Sequence, residues 1–295
     1  MNALRRVLAG IDFSARADRV AHRAALISKE TGAGLDLFHA VNLSSLHSFR
    51  QLVPRILEGL EQRAVDTQRE QLATLSRELD ERHKIVAGVS VATGDAFTQI
   101  EICADEVSAD LVVLGSHGIS ALPFPIVGST VARMAAASRH SVLVVKEKPS
   151  GPYRNLLLPV DFSAQSGLAL SAASAVAPEG NLILMHAYGV PFEGKLRASR
   201  DLDAILEPFL AIAQREAYQK MRKLLETAGV AGQVSELVAV HGEALPQILE
   251  LEKTRRCDLI IIGRRGTVPL LEQVFLGSVA KQVLALSRAD VLIVR

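Results

Sequence analysis

The chain repeats itself. Residues 5–14, RRVLAGIDFS, return as RNLLLPVDFS at 154–163, and the apolar run LDLFHAV at 35–41 returns as LILMHAY at 182–188. Further on, 93–118 (TGDAFTQIEICADEVSADLVVLGSHG) aligns without a gap to 241–266 (HGEALPQILELEKTRRCDLIIIGRRG), and 128–146 matches 277–295. Matches in the same order along both halves mean two copies of one folding unit. Between them lies KEKPSGPYR at 146–154, rich in Pro, Gly and Lys, where neither helix nor strand is favoured. The boundary is placed near Pro149, with domains at 1–148 and 153–295.

Each copy reads as alternating strand and helix. In the first, 5–11, 35–41, 85–92, 111–114 and 141–145 are short apolar runs suited to strands buried on both faces. Helical periodicity fills 16–30, about 50–82, 96–107 and 129–137, with Ser14, Asp95 and Ser129 as expected caps. Such alternation predicts an α/β fold, an open, doubly wound parallel sheet flanked by helices, with ligands beyond the carboxyl ends of its strands. With 295 residues, 49% of them hydrophobic, and no Trp, the chain can build two cores from Ala, Val, Leu and Ile. A formal net charge of +1 supplies no field for nucleic acid or an anionic membrane, so neither is expected as a partner. No run has the length of a membrane span or a leader, which predicts a cytoplasmic protein. Cys103 and Cys257 lie far apart and read as reduced packing residues.

Asp12 and Asp161 follow the first strand of each copy, where a carboxylate accepts hydrogen bonds from a ribose or base, or sits favourably at a helix N-terminus; Ser14 and Ser163 read as caps. After the fourth strand stand Gly115 and Gly118, nine residues, then Gly128, Ser129 and Thr130 opening a helix. Glycines allow close backbone approach, and unpaired N–H groups with a hydroxyl suit an anion. This is neither a Walker loop nor a GxGxxG fingerprint. His39, His117, His186 and His241 all fall at strand ends. Lacking HxH or HxxxH spacing, they favour no metal; the pairs to inspect are His39 with His117 and His186 with His241.

On these residues the chain resembles the universal stress protein family, whose nucleotide-binding members carry G-x2-G-x9-G-Ser/Thr after the fourth strand and an Asp after the first. The resemblance implies a five-stranded sheet of order 3-2-1-4-5 in each domain. It also implies an adenine nucleotide (ATP, ADP or AMP) with Mg2+ on its phosphates, and a stress-response regulator with protein partners yet to be identified. The backbone of Ala40 would meet the adenine, Asp12 the adenosine part, and Gly118, Gly128, Ser129 and Thr130 the phosphates, with Gly10, Gly115 and His117 also at the nucleotide. In the second copy the corresponding residues are Pro159, Asp161, Ala187, Gly263, Gly266, Gly277, Ser278 and Val279. There ten residues, not nine, separate Gly266 from Gly277, an insertion that either bulges on the surface or pulls the anion-binding turn out of register with the glycines; reduced affinity is expected. Slow ATP hydrolysis and a carrier of another phosphate-bearing or apolar ligand are the competing functions. The signatures of ATP pyrophosphatases and class I tRNA synthetases are missing, and His117 is the one evident base near the glycine loop.

The fifth strands, 141–145 and 291–294, are apolar and close their domains, and an open apolar edge invites aggregation. Members of the family commonly cover it by pairing fifth strands. A tandem chain can do so internally, as a pseudo-dimer about an approximate two-fold axis, with or without a further homodimer. Val144→Lys with Ile293→Lys should then separate the domains in small-angle scattering. A wild-type particle that is already elongated and does not change in the variant contradicts this.

Overall fold

A computed structural model describes residues 3–14, 16–42, 54–116, 128–190, 203–229, 234–264, 266 and 276–295. Contacts divide the chain into two compact units, Met1–Pro152 and Tyr153–Arg295. In the first, β1 (Arg6–Gly10), α1 (Ala17–Thr31), β2 (Gly34–Val41), α2 (Pro54–His83), β3 (Ala87–Thr93), α3 (Ala96–Glu106), β4 (Leu111–Gly115), α4 (Ser129–Ala137) and β5 (Ser141–Val145) alternate. The second repeats the series: β6 (Asn155–Pro159), α5 (Ala164–Val176), β7 (Asn181–Tyr188), α6 (Asp203–Ala228), β8 (Val234–His241), α7 (Ala244–Thr254), β9 (Leu259–Gly263), α8 (Ser278–Leu286) and β10 (Asp290–Val294).

All pairing within each unit is parallel. β1 lies between β2 and β4, β3 pairs with β2 and β5 with β4, which is the expected order 3-2-1-4-5; β6 to β10 repeat it. The interior of β1 and all of β5 are buried, as is β4 up to its terminal glycine. That burial is why these strands read as unbroken apolar runs rather than alternating ones. Glu101 of α3 is buried in unit 1, where its carboxylate accepts hydrogen bonds from the Ser138 hydroxyl (2.5 Å) and the Arg139 backbone N–H (3.1 Å), pinning the turn before β5. Glu252 does the same in unit 2 for the N–H groups of Arg288 and Ala289, both at 2.6 Å.

The repeat extends to unusual backbone angles. Phe13 and Phe162 have φ of 54° and 61°, and Ser108 and Arg256 have 53° and 51°. Two expected caps are corrected. α1 starts at Ala17 with Arg16 in the cap position, because Ser14 is used inside the preceding turn: its carbonyl accepts from Ala17 N (2.9 Å) and its N–H goes to Asp12. Ser129 is the first helical residue of α4, not its cap. Gly128 holds that position, its carbonyl accepting from Ala132 N at 2.9 Å. Asp95 caps α3 as expected, taking the Thr98 N–H at 3.1 Å.

α1 and α2 are joined by a histidine pair, His22 Nδ1 to His83 Nε2 at 2.9 Å. Burial holds both imidazoles below their ordinary value near 6.5, with Arg82 adding to the effect on His22, and His22 to that on His83. The folded pKa values are depressed, so the unfolded chain binds more protons; the pair's contribution is full above about pH 6.5 and is lost as pH falls. Unit 1 should therefore lose thermal stability between pH 7.5 and 5. A double variant, His22→Gln with His83→Gln, should lose less over that range, and an equal fall in both proteins contradicts the assignment.

Candidate functional site

The opening in the sheet follows from its pairing. β1 and β4 are in register from Val7 and Leu111 to Ala9 and Val113, after which β4 continues along β5 as far as Gly115 and Val145. On the other side Ile11 N still reaches Phe38 O at 2.8 Å, so the end of β1 stays with β2. β1 and β4 thus part beyond Ala9, at the point where strand order reverses. A cleft of about 390 Å³ lies there, within the span of about 300–1,000 Å³ usual for small-molecule sites.

Its walls include Gly10, Asp12, Ala40, Gly115, Gly128, Ser129 and Thr130. These are the residues singled out in the first copy, apart from His117 and Gly118, which lie outside the described residues. Phe38, Asn42, Ile100 and Val131 line it as well. Phe38 and Asn42 share a strand face with Ala40 by the two-residue period and Val131 follows Thr130, so those three could have been found from the positions singled out; nothing in the sequence points to Ile100.

The turn after β1 is held from two sides. Asp12 Oδ1 accepts the Ser14 N–H at 3.0 Å, and His39 Nδ1 lies 2.6 Å from Ile11 O. A carbonyl only accepts, so that nitrogen carries the proton. The His39 ring also packs on Phe13, with centroids 4.9 Å apart, and so supports a residue of positive φ. Unit 2 repeats this with Asp161 to Ser163 N (3.0 Å), His186 to Val160 O (2.7 Å) and Phe162 on His186 (4.4 Å). Ser163 sits at the cap position of α5, yet its hydroxyl makes no cap bond.

At the other end of the cleft α4 begins at Gly128, with no side-chain cap. The N–H groups of Ser129, Thr130 and Val131 in the first turn have no partner within the helix, and the helix dipole adds positive potential there. The start of the loop is closed by Gly128 N to Ser116 O (3.1 Å) and Ser116 N to Val145 O (3.0 Å). In unit 2, Gly277 N to Arg264 O and Arg264 N to Val294 O, both 2.9 Å, make the same closure. Gly128 and Gly277 also share their angles, φ −55°, ψ 146° against φ −56°, ψ 150°. The extra residue of the second copy therefore leaves this helix start in register, the first of the two alternatives. It lies between two matched anchors.

Pro159, Ala187 and Gly263 stand at or next to the carboxyl ends of β6, β7 and β9, and Ser278 and Val279 open α8. Gly266 packs against Asp161: a Cβ on it would come within 2.7 Å of Oδ2, so a larger residue would have to displace that carboxylate. A larger hollow, about 620 Å³, lies between α1 and α2 and carries Asp18, Glu70 and Glu78. Three carboxylates repel an anion, which makes the smaller cleft the phosphate candidate. Among the described residues no three His, Cys, Asp or Glu side chains come together as a metal-ligand set. Nor is any described helix long and apolar enough to cross a membrane.

The two units define a tandem α/β protein, the first with a crevice where its strand order reverses. The chain belongs to the universal stress protein family, whose model matches residues 3–146 and again 152–295. A universal stress protein of Bacillus subtilis is 31% identical over 151 residues, covering 48% of this chain and 99% of its own. One of Methanocaldococcus jannaschii is 32% identical over 146 residues, covering 48% of this chain and 82% of its own. A solved universal stress protein from Archaeoglobus fulgidus covers 98% of both chains with a TM-score of 0.70 and 19% identity, a likeness of fold.

Both cysteines are free and buried. Burial pushes the Cys257 thiol up to about 12, with Asp258 adding to it, and raises Cys103 as well. Neither should react with Ellman's reagent at pH 8 in the folded protein, and both should react on unfolding. Fast labelling of the native protein contradicts this.

Proposed function

We propose that the first unit's cleft binds an adenine nucleotide, ATP, ADP or AMP, and that its occupancy regulates partner binding in a stress response. The observation that carries the reading is the joining, in one crevice, of the Asp12 carboxylate and the Ala40 strand end with the uncapped helix start at Gly128, Ser129 and Thr130. One end suits a ribose and base; the other suits phosphates. Mg2+ would be held by the phosphates and water, as is usual for that ion. The matched helix start supports a second site in unit 2, at Asp161, Gly277 and Ser278. A cytoplasmic setting, with reduced thiols and abundant nucleotide, suits this reading.

The described side chains lining the phosphate end are the hydroxyls of Ser129 and Thr130, which are not bases at neutral pH; His117, the one base the sequence puts near the loop, lies outside the described residues. Hydrolysis is expected far below the roughly 10 s⁻¹ of ordinary enzymes. Calorimetry with ATP tests the site. Gly128→Val crowds the helix start and should weaken binding to unit 1 at least about tenfold, the scale of one charge-assisted hydrogen bond. Wild-type protein that binds no adenine nucleotide, or a Gly128→Val variant that binds like wild type, overturns the reading.

A further inference from the structure

One cation stands beside the phosphate end of the cleft, and it is engaged elsewhere. Arg133 lies on α4 one turn, about 5.4 Å along the axis, beyond Ser129. Helical side chains lean toward the N-terminus of their own helix, so this guanidinium leans toward the turn that presents the Ser129 and Thr130 N–H groups. Its Nη1 donates to both oxygens of Asp95, at 3.2 and 2.9 Å, while its Cζ lies 4.5 Å from the centroid of the Phe97 ring. Both partners are about half exposed, 54% and 52%.

We infer that Arg133 is the polyphosphate-recognising residue of the first unit, exchanging Asp95 for the distal phosphates of a nucleoside di- or triphosphate; this rests on the nucleotide reading of the cleft. Three observations support the exchange. An ion pair so exposed contributes little, because water screens it, whereas a phosphate at a helix N-terminus offers more charge and more acceptor oxygens. Asp95 does not need Arg133, since its Oδ1 also accepts from the Thr98 N–H and hydroxyl at 3.1 and 2.9 Å. The platform for the guanidinium, Phe97, is in the first turn of α3, next to the wall residue Ala96, so it can hold the arginine at the cleft's rim.

The second unit is an internal contrast. By the repeat, Gln282 stands where Arg133 does, Glu243 where Asp95 does and Leu245 where Phe97 does. Glu243 occupies the cap position of α7 without making a cap bond. The cation and its aromatic platform are gone, while a carboxylate remains in Glu243. The first unit thereby selects nucleotides by the length of their phosphate chain, and the second does not.

The test is calorimetry with ATP and AMP on full-length wild type, Arg133→Gln and Asp95→Asn, with circular dichroism to confirm folding. Arg133→Gln, the second unit's own choice, should lower unit 1 affinity for ATP about tenfold and leave AMP within about twofold. Asp95→Asn keeps a good cap but removes the competing charge, and should raise the preference for ATP over AMP. ATP and AMP weakening equally in Arg133→Gln, or an unchanged ratio in both variants, overturns the role of Arg133 while leaving the site standing. Failure of wild type to bind either nucleotide overturns both.

Discussion

The parallel pairing of β1 with β2 on one side and β4 on the other decides where this protein can hold a ligand. Both neighbours are bonded to β1 through its buried centre, and no strand end can serve both at once where the connections leave in opposite directions. The chain resolves this by keeping Ile11 on β2 and releasing β4 after Val113. The crevice is thus a consequence of the sheet order. The same release occurs in unit 2, where β6 pairs with β9 only through Leu156 and Leu157.

What fills the crevice is set by local devices that hold their shape at some cost. A phenylalanine at positive φ costs on the order of 1–3 kcal/mol, and here it occurs twice at the same place. The Asp–Ser turn and the histidine ring offset that cost on both sides, and the result aims Asp12 into the cleft while the ring braces the β1 exit. Asp12 therefore both fixes its own turn and lines the cleft, so the structural and the binding reading of this aspartate are compatible. The choice posed by the sequence between a structural and a binding aspartate has no single answer. The helix start at Gly128 is the complementary device: glycine leaves three N–H groups without a side-chain cap, where Asp95 caps the neighbouring helix.

Much of this was legible in the sequence, for identifiable reasons. The repeat doubled every signal, and strands such as β5, whose bounds match the expectation at Ser141 and Val145, are apolar runs with polar flanks. The glycine spacing placed Gly115 and Gly128 in one site because both flank a loop whose ends must meet. The caps were misjudged where a serine had a competing local bond: Ser14 is consumed by the turn at Asp12, and Gly128 takes the cap position from Ser129. Which of the two outcomes the second copy's extra residue has at the helix start was not legible, since loop length says nothing about the backbone bonds that anchor its ends. The Asp95–Arg133 pair was invisible because its members are 38 residues apart and meet only through the packing of α3 on α4.

The central claim is that phosphates sit on the start of α4 and the adenosine near the ends of β1 and β2. An ¹H–¹⁵N correlation spectrum of assigned protein, titrated with Mg·ATP, tests it most directly, since each backbone amide reports separately. The account predicts the largest shifts at Ser129, Thr130 and Val131, with a second group at Gly10, Asp12 and Ala40. Shifts confined to the acidic hollow around Asp18 and Glu78, or no shifts at millimolar nucleotide, would contradict it.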